Sequence, residues 1–259
     1  APAGIAMPIN NYGIFPEKDD TTTCSVEELM ATLDYEGNYA SLTDDPDAES
    51  IIQDLVDPKK GWVRTFKCEA DVVSYLDGLE PVVSQLGLVV KSKVNPAGVW
   101  VTKKRLILDA KRSRANECAL APQRILLPRP FHAVDDALKL MRSARSANKR
   151  RLHLEKLRVE HLVADYEDAY WAIPLCPPER RFQVCRWGDL WIVFLRTGQG
   201  TKSSSLTWGL LSATAGRFAQ SMFGSWEVLM QIYTDDPLTA IAGTQAERDL
   251  TMATILSLW

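Results

Sequence analysis

The stretch VLMQIYTDDPLTAIAG, residues 228–243, is apolar on both sides of a Tyr-Thr-Asp-Asp break at Tyr233 to Asp236. It reads as two apolar strands around an acidic turn, a hairpin with adjacent carboxylates at its tip. Placing paired charges at the end of apolar strands is costly unless a cation compensates them. A second acidic site, Asp165 and Asp168, stands 70 residues before Asp235 and follows another apolar run. Carboxylates from two strand ends are what a pair of Mg²⁺ ions needs for in-line phosphoryl transfer. Taken alone, an Asp-Asp dipeptide is equally the sequence of a solvated turn.

The rest of the chain points to a mixed architecture. Its 259 residues, 46% apolar, can bury a real core, which excludes disorder, collagen and a disulfide mini-protein. Residues 1–48, rich in Asp, Thr, Pro and Asn, read as an extended lead-in. Helical spacing recurs over 47–55, 69–79, 131–144, 205–226 and 247–259. LGLVVKSK (86–93) and VWVTKKRLILD (99–109) flank Asn95-Pro96-Ala97-Gly98 and predict a hairpin with basic residues on both arms. RFQVCRWGDLWIVFL (181–195), turning at Gly188-Asp189, predicts another. Residues 160–175 read as a buried strand breaking into an acidic segment. Strands and helices alternate without a regular βαβ period, so the expected class is α+β.

Charge is segregated. Residues 1–90 carry 5 basic and 17 acidic side chains, 91–160 carry 18 and 6, and 161–259 carry 7 and 10. A block that basic inside an acidic protein suits a polyanion, and Arg142, Arg145, Lys149, Arg150, Arg151, Lys156 and Arg158 crowd one stretch of it; a solvated helix or loop face is the plainer reading of that stretch. The five cysteines are scattered without CxxC spacing, so neither a zinc ribbon nor a disulfide framework is expected. No apolar run approaches the roughly 18 residues that span a bilayer. These features lead us to expect an intracellular protein, nuclear or cytoplasmic, with no membrane partner. The chain starts at Ala1 and stops at Trp259 within an apolar helical pattern, so a fragment of a longer polypeptide is expected.

Three motifs, in order, resemble the palm of retroelement reverse transcriptases. Asp165-Tyr166-Glu167-Asp168-Ala169-Tyr170-Trp171-Ala172-Ile173-Pro174-Leu175 is similar to the first catalytic motif, Gly198-Gln199-Gly200-Thr201-Lys202-Ser203-Ser204-Ser205 to the second, and Tyr233 to Asp236 to the third. Lys103-Lys104-Arg105-Leu106-Ile107-Leu108-Asp109, followed by Arg112-Ser113 and Asn116, resembles the fingers hairpin, and LLPRPFHAVDDAL (126–138) the link into the helix before the first motif. The likeness covers residues 38–259. Ser205 departs from it, since many relatives have Pro there.

The resemblance implies a right-hand polymerase fold with an antiparallel palm sheet and packed helices: a poorly ordered lead-in over 1–37, helical fingers over 38–85, basic fingers with a hairpin over 86–160, and a palm over 161–259 that lacks its thumb. It implies catalytic carboxylates Asp165, Asp235 and Asp236; metal ligands Asp165, Asp235 and the Tyr166 carbonyl; two Mg²⁺, or Mn²⁺ in their place; nucleotide contacts from Arg105, Lys93 (with Lys91 an alternative), Tyr170 as a gate under the sugar 2′-hydroxyl, Gln199 and Gly200; and nucleic-acid contacts from Lys103, Lys104, Lys111, Arg112 and Lys202. Guanidinium suits a triphosphate because it donates in a bidentate fork. The implied reaction is transfer of a dNTP to a DNA primer 3′-hydroxyl on an RNA template. In the family, a Lys that protonates pyrophosphate, a primer grip and a thumb would follow Trp259. General acid catalysis contributes roughly a hundred- to ten-thousand-fold, so the chain alone is expected to be impaired.

The alternative is a catalytically incomplete or domesticated relic that only binds nucleic acid. An RNA-templated RNA polymerase is disfavoured, because Tyr170 would obstruct a ribose. His132, His153 and His161 lie in no nucleophile-elbow context, so neither Ser-His-Asp nor Cys-His catalysis is expected.

Overall fold

The computed structural model describes residues 15–95, 97–149 and 155–258. In chain order they form α1 (Val26–Ala31), α2 (Ala40–Thr43), α3 (Ala48–Leu55), β1 (Val63–Phe66), α4 (Glu69–Tyr75), β2 (Gln85–Val94), β3 (Trp100–Asp109), α5 (Pro130–Asn148), β4 (Arg158–Val163), β5 (Val184–Trp187), β6 (Leu190–Phe194), α6 (Lys202–Ser221), β7 (Val228–Tyr233), β8 (Asp236–Gly243) and α7 (Gln245–Leu258). Every strand pair within the sheets is antiparallel. The class is therefore α+β, as the pattern predicts. Among the described residues no helix is long and apolar enough to cross a membrane.

The chain groups into two compact units, each built from separated stretches: Glu17–Gln123 with Tyr170–Thr207, and Arg124–Ala169 with Trp208–Trp259. The first holds the sheet β1-β6-β5 and the two-stranded ribbon β2-β3. Val72 and Leu76 of α4 and its C-cap pack with Val184, Trp191 and Val193 over one face of the sheet. A second cluster joins Cys24, Leu29, Val82, Ala110, Ala115, Cys118 and Phe182. Fully burying a side chain of Leu or Phe size contributes roughly 1.5–3 kcal/mol, so two such clusters anchor segments that have little regular structure of their own.

Part of the lead-in differs from expectation. Residues 1–14 lie outside the described residues, but α1 forms within 15–37 because Ser25-Val26-Glu27-Glu28 is a capping box. The Ser25 hydroxyl accepts the Glu28 N–H at 3.1 Å, and the Glu28 carboxylate accepts the Ser25 N–H at 2.8 Å. Leu29, 1% exposed, then ties the helix to the core.

In the second unit β8 is the central strand, flanked by β4 and β7. Val228, Ile241 and Ile255 form its core with Leu162, Phe223, Met230 and Met252 packed around them. β4, expected to be buried, is half-exposed, with Val163 65% exposed. The reason is position: as an edge strand it has a neighbour on one side only. The basic stretch 142–160 is helical through Asn148, and Arg150 to Leu154 lie outside the described residues.

Candidate functional site: an acidic sheet end and a basic ribbon

The acidic site lies wholly in the second unit. β7 and β8 pair with Tyr233 opposite Asp236, which leaves Thr234 and Asp235 as a two-residue turn. Thr234 adopts φ 58, a region that a β-branched residue rarely enters. Such strain persists only where surrounding structure holds it. Here the Trp208 indole N–H donates to the Thr234 carbonyl at 2.9 Å. Trp208 itself is 3% exposed on α6.

β4 delivers the other carboxylate. Beyond its last paired residue, Val163 opposite Leu238, the chain keeps bonding to the turn: the Ala164 N–H donates to the Pro237 carbonyl at 3.1 Å and the Tyr166 N–H to the Asp235 carbonyl at 3.0 Å. Asp165 is thereby held beside the hairpin tip. The Tyr166 ring meets Trp208 edge to face, centroids 4.9 Å apart, so one tryptophan supports both acidic loops. Burial pushes the Tyr166 hydroxyl pKa up.

Crowding of like charge is visible at Asp236. Burial first, and then the charges of Asp235 and Asp165, raise its carboxyl above the ordinary value. Asp168, the fourth acid, sits after this segment in a left-handed conformation, φ 54. Among the described residues no group of three or more His, Cys, Asp or Glu is arranged as a metal cage. Two carboxylates and a carbonyl are nevertheless the hard oxygen donors that suit Mg²⁺, and repulsion at Asp236 is what a cation relieves.

The remaining candidates lie in the first unit. On the ribbon Lys91 pairs with Lys103 and Val89 with Arg105, while Val90 pairs with Lys104. Directly opposed residues share a face and successive residues alternate. Lys91, Lys93, Lys103 and Arg105 therefore occupy one face, and Lys104 the other. Lys104 donates to Asp45 at 2.5 Å and to Asp47 at 2.7 Å. Arg112 pairs with Glu36. Lys202 reaches Asp20 at 2.9 Å and the Ala119 carbonyl at 2.9 Å. Three of the basic candidates thus have carboxylate partners within the chain. Lys111 contributes its backbone N–H, which donates to Asp109 at 3.0 Å.

The loop carrying Gln199 and Gly200 is clamped by Asn116, whose side chain donates to the Gly200 carbonyl at 3.1 Å and accepts the Lys202 N–H at 2.7 Å. The Leu108 N–H also donates to the Gln199 carbonyl at 3.1 Å. Gly200 takes φ 115, and a Cβ there would lie 2.1 Å from the Leu108 carbonyl oxygen. Only glycine fits. Upstream, Tyr170 offers its carbonyl to the Thr197 hydroxyl at 2.6 Å. Asp109 is a hub: the Tyr39 hydroxyl donates to it at 2.6 Å, and the N–H groups of Lys111 and Arg112 at 3.0 and 2.9 Å. Burial opposes its charge, yet those donors hold its pKa below the ordinary value.

Sequence reasoning missed the support roles of Trp208, Asn116 and Tyr39. Asn116 stood in the fingers signature without a role, and Trp208 at helical spacing reads as an ordinary core residue.

No protein-family model matches the chain, and no curated protein sequence does. Among solved structures it is similar to the foamy viral protease-reverse transcriptase dRH in complex with ds DNA, with 16% identity and a TM-score of 0.47, covering 96% of this chain and 33% of that one. It is also similar to the Prototype Foamy Virus protease-reverse transcriptase in its CSH mutant form, with 16% identity and a TM-score of 0.48 over 88% of this chain and 24% of that one. The chain spans between about a quarter and a third of the length of these neighbours. Similarity of this degree says nothing about chemistry, which has to come from the residues.

Proposed function

We propose that the chain carries the nucleotidyl-transfer centre of a retroelement-type RNA-directed DNA polymerase, with the acidic sheet end as part of its palm and the basic ribbon as part of its fingers. One observation carries this reading: the Tyr166–Asp235 backbone bond sets the first and third acidic motifs side by side, where burial and then the charges of Asp235 and Asp165 raise Asp236. Asp165 and Asp235 would hold two Mg²⁺, or Mn²⁺, with the Tyr166 carbonyl as a further ligand and Asp236 in support. When bound, the ions supply activation of the primer 3′-hydroxyl and charge neutralisation at the leaving pyrophosphate.

Arg105 and Lys93 grip the dNTP triphosphate, Tyr170 closes the space under its sugar, and Gln199 and Gly200 present backbone and amide to nucleotide and template. Lys103, Lys104, Lys111, Arg112 and Lys202 serve the template and primer backbone. Of these, Lys104, Arg112 and Lys202 exchange a carboxylate of the chain for a phosphate when they do so.

The test is dTTP incorporation on poly(rA)/oligo(dT), with and without Mg²⁺, by the chain and by Asp235→Asn. Weak metal-dependent incorporation, as expected of a chain impaired on its own, that Asp235→Asn abolishes is the expected result. Activity retained in that variant sinks the reading. No incorporation, with template binding that is salt-sensitive but indifferent to Mg²⁺ and dTTP, would favour a protein that only binds nucleic acid.

A further inference from the structure

Cys24 and Cys118 stand 94 residues apart, with no spacing that links them, and the fold of the first unit sets them together. The Thr23 N–H donates to the Glu117 carbonyl at 3.0 Å, so the residues that follow this bond are neighbours. Both thiols then donate to one acceptor, the Ser25 carbonyl, Cys24 at 3.2 Å and Cys118 at 3.4 Å. Each residue is 4% exposed, in the cluster with Leu29, Val82, Ala110, Ala115 and Phe182. Burial, and then the Cys24 thiol, push the Cys118 thiol up to about 11, while the charge of Arg114 pulls the other way. Arg114 is held beside them in a left-handed conformation, φ 62, by Glu117 at 3.0 Å and the Thr32 hydroxyl at 2.8 Å.

We propose that Cys24 and Cys118 are a reversible disulfide site, oxidised by a peroxide, whose closure staples the chain before α1 to the helical turn Ala115–Glu117 that carries Asn116. A buried cysteine generally serves as a small apolar side chain. Two that share one carbonyl, with a guanidinium on hand to favour a thiolate, are placed for chemistry as well. One sulfur, deprotonated, attacks a peroxide oxygen and breaks the O–O bond, which leaves a sulfenic acid and one water; the second sulfur attacks the sulfenic sulfur and displaces another water. Each sulfur is oxidised by one electron and the peroxide is reduced by two. Access comes from α1, a helix of six residues that starts just after Cys24 and Ser25, so opening of its first turn uncovers the pair. Asn116 clamps the Gly200 loop, and the staple therefore fixes that clamp to the core. The inference does not rest on the function proposed above.

The experiment treats the full chain with hydrogen peroxide at neutral pH and maps disulfides by mass spectrometry of non-reduced peptides. A Cys24–Cys118 peptide pair that dithiothreitol separates is expected, and it should form equally in Cys68→Ser, which lacks an exposed thiol. The oxidised chain should melt roughly 5–10 °C above the reduced one, because the link closes a long loop in the unfolded state. Dithiothreitol should reverse that shift. Cys118→Ser, which keeps a donor for the Ser25 carbonyl, should lose both the link and the shift. In unfolding urea the preference should vanish, with Cys68, Cys176 and Cys185 entering mixed pairs. The inference is overturned if peroxide consumes Cys68 and leaves Cys24 and Cys118 as thiols, if the same pair forms at the same yield in urea, or if oxidation lowers the melting temperature, the sign of a link that the fold must distort to accept.

Discussion

The two charged regions are built on opposite plans. At the end of the β4-β8-β7 sheet, three carboxylates are pinned by backbone hydrogen bonds and by a buried tryptophan, and burial together with their mutual repulsion raises Asp236. On the β2–β3 ribbon, four cations are spread along one face at strand spacing, in water, where repulsion is weak. Preorganisation is worth most where charge has to be held against its own repulsion. Spread charge needs only register and exposure.

That contrast can be broken or sharpened by substitution, beginning with the largest effect. Trp208→Ala removes ring and N–H together and should cost about 3–5 kcal/mol in urea unfolding, whereas Trp208→Phe keeps an edge for Tyr166 and should cost about 1–2 kcal/mol for the lost donor. Equal costs would mean that the hydrogen bond alone, without the packing, holds the acidic turn. In the first unit Gly200→Ala should cost roughly 2 kcal/mol, since its Cβ meets the Leu108 carbonyl and its φ is 115. A neutral outcome would show that the loop can shift away from β3.

Two acids should respond to pH with opposite sign. Asp109 is held below its ordinary value, so its contribution is present at neutral pH and is lost as pH falls through the folded-state value. Asp109→Ala should therefore cost about 1–2 kcal/mol at pH 7, with the difference from the parent shrinking in acid. Asp236 is raised, so it stabilises the fold only when protonated and opposes it at neutral pH. Asp236→Asn should slightly raise the metal-free urea midpoint at pH 7, and that gain should fade as pH falls below the carboxylate range. Parallel trends in the two variants would erase the distinction between the regions. Least affected is Lys104→Met: its pair with Asp47 is exposed on the carboxylate side while that with Asp45 is partly shielded, and the urea midpoint should fall only slightly.

Much of the fold is legible without coordinates. The hairpin of β2 and β3 follows from alternation around Asn95 to Gly98, that of β5 and β6 from Gly188, φ 56, and that of β7 and β8 from apolar runs around Thr234-Asp235. The capping box at Ser25 was also legible, but the polar composition around it masked the signal. β1 was not: four residues carry no usable period, and its strand exists because Val63 to Phe66 pair with Phe194 to Trp191, some 130 residues later. The site divides in the same way. Motif order marks Asp165, Asp235 and Asp236, while the roles of Trp208 and Asn116 are carried by bonds to the Thr234 and Gly200 carbonyls, which no spacing announces.

Side-chain alternation and turn chemistry act over a few residues, and so the sequence by itself determined the hairpins, the long helices and which acids stand at strand ends. Partnership between distant segments was decided only by the tertiary structure. It tied Lys104 to Asp45 and Asp47 while leaving Lys103, one residue away, on the other face, made β4 an edge strand, and set Asp165 beside Asp235 through a backbone bond that spans 69 residues. Those outcomes depend on which surfaces meet when the whole chain closes, a free energy shared among many residues and written in no single stretch of them.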